Sequence, residues 1–241
     1  MLLLAELDPA KTGVGPVDRA ERLLSCFDAV DVPDRPLGAR FSSPVLAAAI
    51  ASRLGGERVV AHVKVSDMGF DYVKAITKSL MDVGVNKVVY LRGDPQGTIS
   101  DLNPESVVRA LVKYRSKGLK AGLILSARKS VEEMRSRLSA SPDFTLILNV
   151  DSTRIQPLRQ VLGSPGSPPG FVYLILDTPR TSEVMRGRVT SLTMSLSHAL
   201  RTAEMLSGEG WVGGFVVSAP SDDRAKIEFC RRLRALLGLG G

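Results

Sequence analysis

Short apolar runs alternate with amphipathic segments along the whole of the 241-residue chain. The runs are rich in valine, isoleucine and leucine, which is typical of strands buried in a parallel sheet. They occupy residues 2–6, 29–32, 58–64, 87–91, 120–126, 144–150, 171–176 and 213–218. The segments that follow them place apolar side chains at helical spacing. These predicted helices are 17–27, 43–54, 71–83, 104–117, 131–138, 153–162, 190–206 and 222–237.

Eight strands that are each followed by a helix predict an α/β fold of the (βα)8 or TIM-barrel type. A doubly wound open sheet is the alternative, although it would more often use fewer strands in this length. The glycine-, serine- and proline-rich run 163–170 falls between a helix and a strand, so it indicates a loop and not a domain boundary. We therefore expect residues 1–241 to form one barrel domain.

Helix-boundary signals agree with this alternation. Asn103 followed by Pro104 is typical of a helix N-cap and first helical residue. Gly84, Gly118 and the pair at 55–56 lie where a left-handed residue ends a helix before the next strand.

Charge and composition narrow the class of protein without defining its activity. The chain is 44% hydrophobic and 24% charged, as in ordinary globular proteins, and its net charge of +7 favours anionic ligands. Its basic residues are interspersed with acidic ones, so a nucleic-acid groove is not expected. Cys26 and Cys230 are far apart and only two histidines exist, which disfavours a zinc site and indicates buried thiols, although a disulfide is possible. With no signal-peptide or membrane-span pattern, we expect a cytoplasmic protein.

Chemistry in a TIM barrel takes place where the strands end and the helices begin. Polar residues occupy these ends: Glu6, Asp8, Asp31, Asp34, His62, Lys64, Asp67, Arg92, Asp94, Ser126, Arg128, Asn149, Asp151, Asp177, Arg180 and Ser218. A glutamate directly after a leucine-rich run is costly to bury without a partner, so Glu6 is the candidate acid–base residue. The alternative is a structural ion pair of Glu6 with Lys64 or Arg92.

Two further features bear on the chemistry of these strand ends. A metal site is not expected, because carboxylates near a lone histidine such as His62 are common at barrel mouths without a metal. The strand 87–91 ends in Arg92, Gly93 and Asp94, which offer a fork of donors, a permissive backbone and a fixed acceptor.

Three segments lie at the ends of predicted strands: residues 6–12 (ELDPAKT), 61–64 (AHVK) and 91–95 (LRGDP). Together they resemble the methylenetetrahydrofolate reductase family of flavin-dependent barrel enzymes. They are similar, in that order, to its opening strand and turn, its third strand and its Leu-Arg-Gly-Asp signature. Residues 31–44 also resemble a stretch seen in shorter relatives.

The resemblance implies a role for each matching residue. Glu6 would be the general acid that protonates a folate nitrogen, and Asp94 would lie beside the flavin and the pterin. His62, Leu91, Arg92 and Gly93 would contact the cofactor, which is FAD or, alternatively, FMN. A reduced flavin would then supply the hydride, and NAD(P)H or a partner protein would supply the electrons. For His62 the alternative is a hydrogen-bonded core residue.

The second half of the chain departs from the family pattern. The fifth strand lacks the cofactor loop, and the sixth lacks the pterin-binding glutamine, for which Asn149 is the candidate substitute. The sequence therefore predicts a reductase of a methylene-tetrahydrofolate-like or modified pterin substrate. A non-catalytic or partner-dependent flavin- or pterin-binding subunit, possibly homo-oligomeric, is the alternative, and unrelated barrel chemistry is a third reading.

Overall fold

The computed structural model describes residues 1–8, 14–34, 42–66, 68–93, 102–185 and 193–239. Within these ranges the backbone forms parallel strands connected by helices. The strands are β1 (Leu2–Glu6), β2 (Ala29–Val32), β3 (Val59–Lys64), β4 (Lys87–Leu91), β5 (Lys120–Ser126), β6 (Phe144–Leu148), β7 (Gly170–Leu176), β8 (Thr193–Met194) and β9 (Val212–Ser218).

Strands β1 to β7 and β9 close into a barrel of eight parallel strands. Pairing runs in chain order from β1 to β7, and β9 pairs with both β7 and β1 to complete the ring. The two-residue strand β8 pairs with the end of β7 at Ile175 and Leu176. The predicted (βα)8 TIM barrel is therefore confirmed, and one barrel accounts for all the described elements.

Helices surround the barrel and carry apolar side chains against its outer face. They are α1 (Pro16–Leu24), α2 (Ser43–Leu54), α3 (Phe70–Asp82), α4 (Pro104–Ala110), α5 (Val131–Leu138), α6 (Ile155–Leu162), α7 (Pro179–Met185), α8 (Leu196–Ser207) and α9 (Asp223–Leu236). Short 3₁₀ turns at Gly56–Arg58, Val112–Lys117 and Ser152–Arg154 adjoin α2, α4 and α6. None of the helices in the described ranges is both long enough and apolar enough to cross a membrane.

Two separate apolar clusters follow from the alternation of side chains along each strand. The larger lies between the barrel and its helices. The smaller fills the barrel interior and contains Leu4, Ala29, Val60, Val89, Phe144, Leu146, Tyr173 and Val216. Glycine at position 122 leaves room for the Phe144 ring, since a Cβ there would lie 2.5 Å from its Cζ. The lower interior is thus a packed core, and any site has to form above it.

The predicted helix boundaries are confirmed where capping residues mark them. The Asn103 side chain accepts a hydrogen bond from the Ser106 amide at 2.7 Å, and Pro104 begins α4. Gly84 and Gly118 have φ angles of 85° and 97°, as expected of left-handed residues that follow helices.

The chain between β7 and β9 differs from the prediction of one helix over 190–206. The described part instead contains β8, and α8 begins only after Ser195, whose side chain accepts from the His198 amide. An additional helix, α7, begins at Pro179 after Thr178, whose hydroxyl accepts from the Thr181 amide at 3.1 Å. Both helices begin after an ordinary capping residue. The apolar pattern of the sequence runs across these positions, so it did not predict them.

Candidate active site

The carboxyl ends of β1 and β2 place two acidic side chains side by side. Glu6 and Asp31 are register partners in the parallel pair β1–β2, so both point into the barrel at the same height. Asp31 is fully buried, whereas Glu6 is partly buried at the mouth. The apolar layer of the barrel interior lies directly beneath them, since Leu4 and Ala29 are the preceding inward positions on the same strands.

Asp31 is held by hydrogen bonds from two other strands. The His62 Nε2 atom of β3 lies 2.8 Å from Asp31 Oδ1, and the Tyr173 hydroxyl of β7 donates to Asp31 Oδ2. Burial disfavours the charged imidazolium, but the neighbouring carboxylates, Asp31 first, outweigh it and raise the pKa of His62. Burial and the charge of Asp31 raise the pKa of Tyr173 well above 10, so its hydroxyl stays a proton donor.

The Glu6 carboxyl has an acid strength suited to proton transfer near neutral pH. Burial is the main cause that raises its pKa from 4.5 to about 7, and the charge of Asp31 is the second. Lys226 opposes the shift by its charge, and a hydrogen bond from the Ser218 side chain also lowers the pKa. Among the described residues Glu6 forms no ion pair, so the predicted alternative pairing with Lys64 or Arg92 is absent.

A buried ionic network beside the site fixes the backbone of Glu6. Lys226 Nζ donates to the Glu6 carbonyl oxygen at 2.8 Å and to Asp8 Oδ1 at 2.6 Å. The Arg19 guanidinium bonds Asp8 and Asp223, and the Asp223 carboxylate also accepts from Lys226 at 3.2 Å. Two cations and two carboxylates therefore balance in charge, and they join α1 and α9 to the end of β1.

The end of β4 presents the predicted cofactor-contact segment. Arg92 and Gly93 are exposed and Leu91 is partly buried, while Asp94 lies outside the described residues. Gly93 has a φ of 72°, and a Cβ there would lie 2.4 Å from Lys64 Cε. A side chain at this position would therefore be strained by the backbone and would also displace the lysine chain. The Lys64 side chain thus packs against Gly93, beside the exposed Arg92.

The end of β6 carries the candidate substitute for the missing glutamine. Asn149 adopts a left-handed backbone with a φ of 65°, a conformation that concentrates at functional sites. Its Nδ2 atom donates to Ser126 Oγ at 3.1 Å, which links the ends of β6 and β5. The amide is therefore oriented at the barrel mouth, where it can offer a donor and an acceptor to a polar ring edge.

The side chains at the ends of β3, β4 and β6 have the chemistry to hold an anionic group. Arg92 and Lys64 supply positive charge, and Asn149 supplies an amide. Such groups are those that bind phosphate and the polar edge of a ring in cofactor sites.

The predicted site residues fall into two places. Glu6 and His62 come together around Asp31, with the buried His62 ring turned to Asp31, whereas Leu91, Arg92, Gly93 and Asn149 belong to the rim. His62 therefore has the hydrogen-bonded core environment named as its alternative, and its contact with a cofactor stays a prediction.

The central role of Asp31 and Tyr173 was not predicted. Tyr173 could have been identified by its inward position on β7, because a buried phenol in an apolar strand needs a hydrogen-bond partner. Asp34 caps α2 by accepting from the Ser43 amide at 3.1 Å. Within the described ranges no group of three metal-ligating side chains converges.

The comparisons with known proteins support the fold. No family model and no curated protein matches the chain. Its structure is similar to a tryptophan synthase from M. tuberculosis, with a TM-score of 0.58, 18% identity and coverage of 98% of this chain and 90% of that one. It is also similar to a mutant tryptophan synthase alpha-subunit from Pyrococcus furiosus, with a TM-score of 0.61, 13% identity and coverage of 99% and 98%.

At these identities the likeness shows the fold alone. The fold and the site together define a class: a TIM-barrel protein with a carboxylate-centred cluster at the carboxyl ends of its strands.

Proposed function

We propose that this chain is a flavin-dependent reductase of a methylene-tetrahydrofolate-like or modified pterin substrate, with Glu6 as the general acid. The observation that carries the proposal is the Glu6 carboxyl, which lies at the barrel mouth with a pKa raised to about 7. A carboxyl with this pKa is protonated in part of the molecules at neutral pH and still exchanges its proton readily. The resemblance of the segments 6–12, 61–64 and 91–95 to the reductase family supports the same role.

In the proposed reaction Glu6 donates its proton to a nitrogen of the one-carbon ring of the substrate, so that the ring opens to an electrophilic carbon. A reduced flavin, when bound, supplies the hydride that this carbon accepts. Asn149 orients the pterin edge by its amide, and the rim cations Arg92 and Lys64 hold the anionic part of the cofactor. Asp94 is proposed to lie beside the flavin, as the resemblance implies.

The partners in this proposal are those that the sequence predicts. FAD is the expected cofactor, and FMN, a smaller flavin, is the alternative. NAD(P)H or an electron-transfer protein re-reduces the flavin in the cytoplasm. A binding subunit without turnover of its own is the second candidate, and the departures at the fifth and sixth strands favour it, because the unmatched pterin groups would weaken substrate binding.

The test begins with flavin binding by the purified full chain. We expect FAD to bind and to show visible flavin absorption, and the charge-removing variant Arg92→Gln to weaken the binding. Methylene-tetrahydrofolate added without oxygen to the reduced complex should then reoxidise the flavin, which its absorption bands report.

The variant Glu6→Gln should keep FAD bound and slow this reoxidation by about 100-fold or more. Glu204→Gln, on the exposed face of α8, is the matched control and should react like the unaltered protein. Full activity of Glu6→Gln would remove Glu6 from the reaction. Flavin binding without turnover by any variant would favour the subunit function, and absence of flavin binding would end the proposal.

A further inference from the structure

Asp31 is more completely buried than its register partner Glu6, and its carboxylate is held in place. Its side chain is fully buried, and both of its carboxylate oxygens are engaged, one by His62 and the other by Tyr173. These donors come from β3 and β7, so Asp31 is fixed from both sides of the barrel. A carboxylate held in this way cannot rotate away from the register partner that lies beside it.

We infer that Asp31, fixed between His62 and Tyr173, is the positioning residue that keeps a proton on Glu6 for donation to the substrate. The inference rests on the proposed function for the use of that proton, but the protonation itself is a property of the protein alone. Asp31 touches neither substrate nor cofactor in the proposed reaction and acts through the neighbouring carboxyl.

The order of the strands determines which charge Glu6 senses most strongly. Asp31 is its direct register partner on β2, whereas His62 is on β3, one strand further away. The Asp31 carboxylate is therefore closer to Glu6 than the His62 imidazole, whose charged form compensates it. Because Coulomb energy falls with distance, the pair presents a net negative field to Glu6 and favours its protonated form.

Within the described residues, other groups act on Glu6 from the elements packed around it. They are Asp8 after β1, Asp31 on β2, His62 on β3, Tyr173 on β7, Ser218 on β9 and Lys226 on α9. Asp31 is the largest charged contribution that raises the Glu6 pKa, and Lys226 is the largest that lowers it. Lys226 is tied to the Glu6 backbone and to two carboxylates, so its opposing effect stays constant when Asp31 is altered.

The experiment follows the protonated Glu6 carboxyl by infrared difference spectroscopy of the full chain as a function of pH. The Glu6→Gln variant identifies its band, because only that band disappears. In Asp31→Asn, which keeps the size of the side chain, we expect the Glu6 midpoint to fall by about one pH unit, a tenfold loss of proton affinity. Asp71→Asn, whose side chain is 96% exposed on α3, is the control and should leave the midpoint unchanged.

A second variant distinguishes two causes of a change in the Glu6 midpoint: the loss of a charge and a loosening of the barrel. His62→Gln removes the compensating positive charge but leaves Asp31 in place, so the Glu6 midpoint should rise. A barrel that merely admitted water would lower the midpoint in both variants, because it would relieve the burial of Glu6. Opposite directions in the two variants therefore support the inference, and a fall in both or no change in Asp31→Asn overturns it.

Two further outcomes of this experiment also have a defined interpretation. If Asp31→Asn does not fold, the His62→Gln variant alone decides the outcome. A rise of the Glu6 midpoint in that variant supports the inference, and a fall or no change overturns it. The titration uses neither flavin nor substrate, so failure of the proposed reductase activity leaves its result intact. Where the reductase activity is found, the pH profile of substrate reduction should move with the infrared midpoint in each variant.

Discussion

Replacing Glu6 with glutamine should change how the stability of the protein depends on pH. The folded state holds the Glu6 proton up to a pKa of about 7, whereas the unfolded chain releases it near 4.5. A raised pKa stabilises the folded state below the unfolded value, and this stabilisation is lost as pH rises through the folded pKa. At about 1.4 kcal/mol per pKa unit, the loss between pH 4.5 and pH 8 is about 3 kcal/mol.

Glutamine cannot ionise, so the variant escapes this loss. We expect the free energy of unfolding of Glu6→Gln, relative to the unaltered protein, to rise by about 3 kcal/mol from the acidic to the alkaline end. Urea unfolding followed by circular dichroism at several pH values measures this difference, and titrating groups that do not interact with Glu6 cancel in it. Glu204→Gln on the exposed face of α8 should show a flat difference. A flat profile for Glu6→Gln as well would show that Glu6 has no raised pKa and would refute the reasoning.

Three other changes test parts of the molecule by denaturant unfolding. Lys226→Met removes a fully buried cation from its two carboxylates and should cost about 3–5 kcal/mol, whereas Lys78→Met on the exposed side of α3 should cost under about 0.5 kcal/mol. Gly214→Ala places a Cβ 2.0 Å from a backbone oxygen of β1 and should cost about 3 kcal/mol, while Gly210→Ala meets no atom within 4 Å and should be close to neutral. Tyr90→Phe removes a buried hydroxyl bond of 2.9 Å and should cost about 1 kcal/mol. Equal effects in the lysine or glycine variant and its control, or a neutral Tyr90→Phe, would contradict the corresponding contact.

The sequence predicts the strands well because apolar residues dominate each of them, although Asp31 interrupts β2 and His62 interrupts β3. Burial on both faces requires such runs, and the observed β5 (Lys120–Ser126) agrees with its prediction to the residue. Strand β6 ends at Leu148 and not at position 150, because the chain turns at Asn149 into a left-handed conformation. A turn of this kind leaves no periodic signal in the apolar pattern.

The candidate site could be predicted only in part. Glu6 can be identified from the sequence, because burying a carboxylate is costly and a glutamate after a leucine-rich run is therefore unusual. Its relation to Asp31 depends on register, and the bond from Tyr173 to Asp31 joins positions 142 residues apart. The ionic network spans still greater separations, with Lys226 reaching the Glu6 carbonyl across 220 residues. Local patterns carry no information about such contacts.

The ionic network and the closure of the barrel have a consequence for the order of events during synthesis. Strand β1 is made first, yet one of its edges stays open until β9 emerges, and the Glu6 carbonyl acquires its ammonium partner only with α9. A nascent chain still lacking these last elements exposes an unpaired strand edge, which favours aggregation. The end of the barrel that carries Glu6 is therefore completed only after α9 has been synthesised.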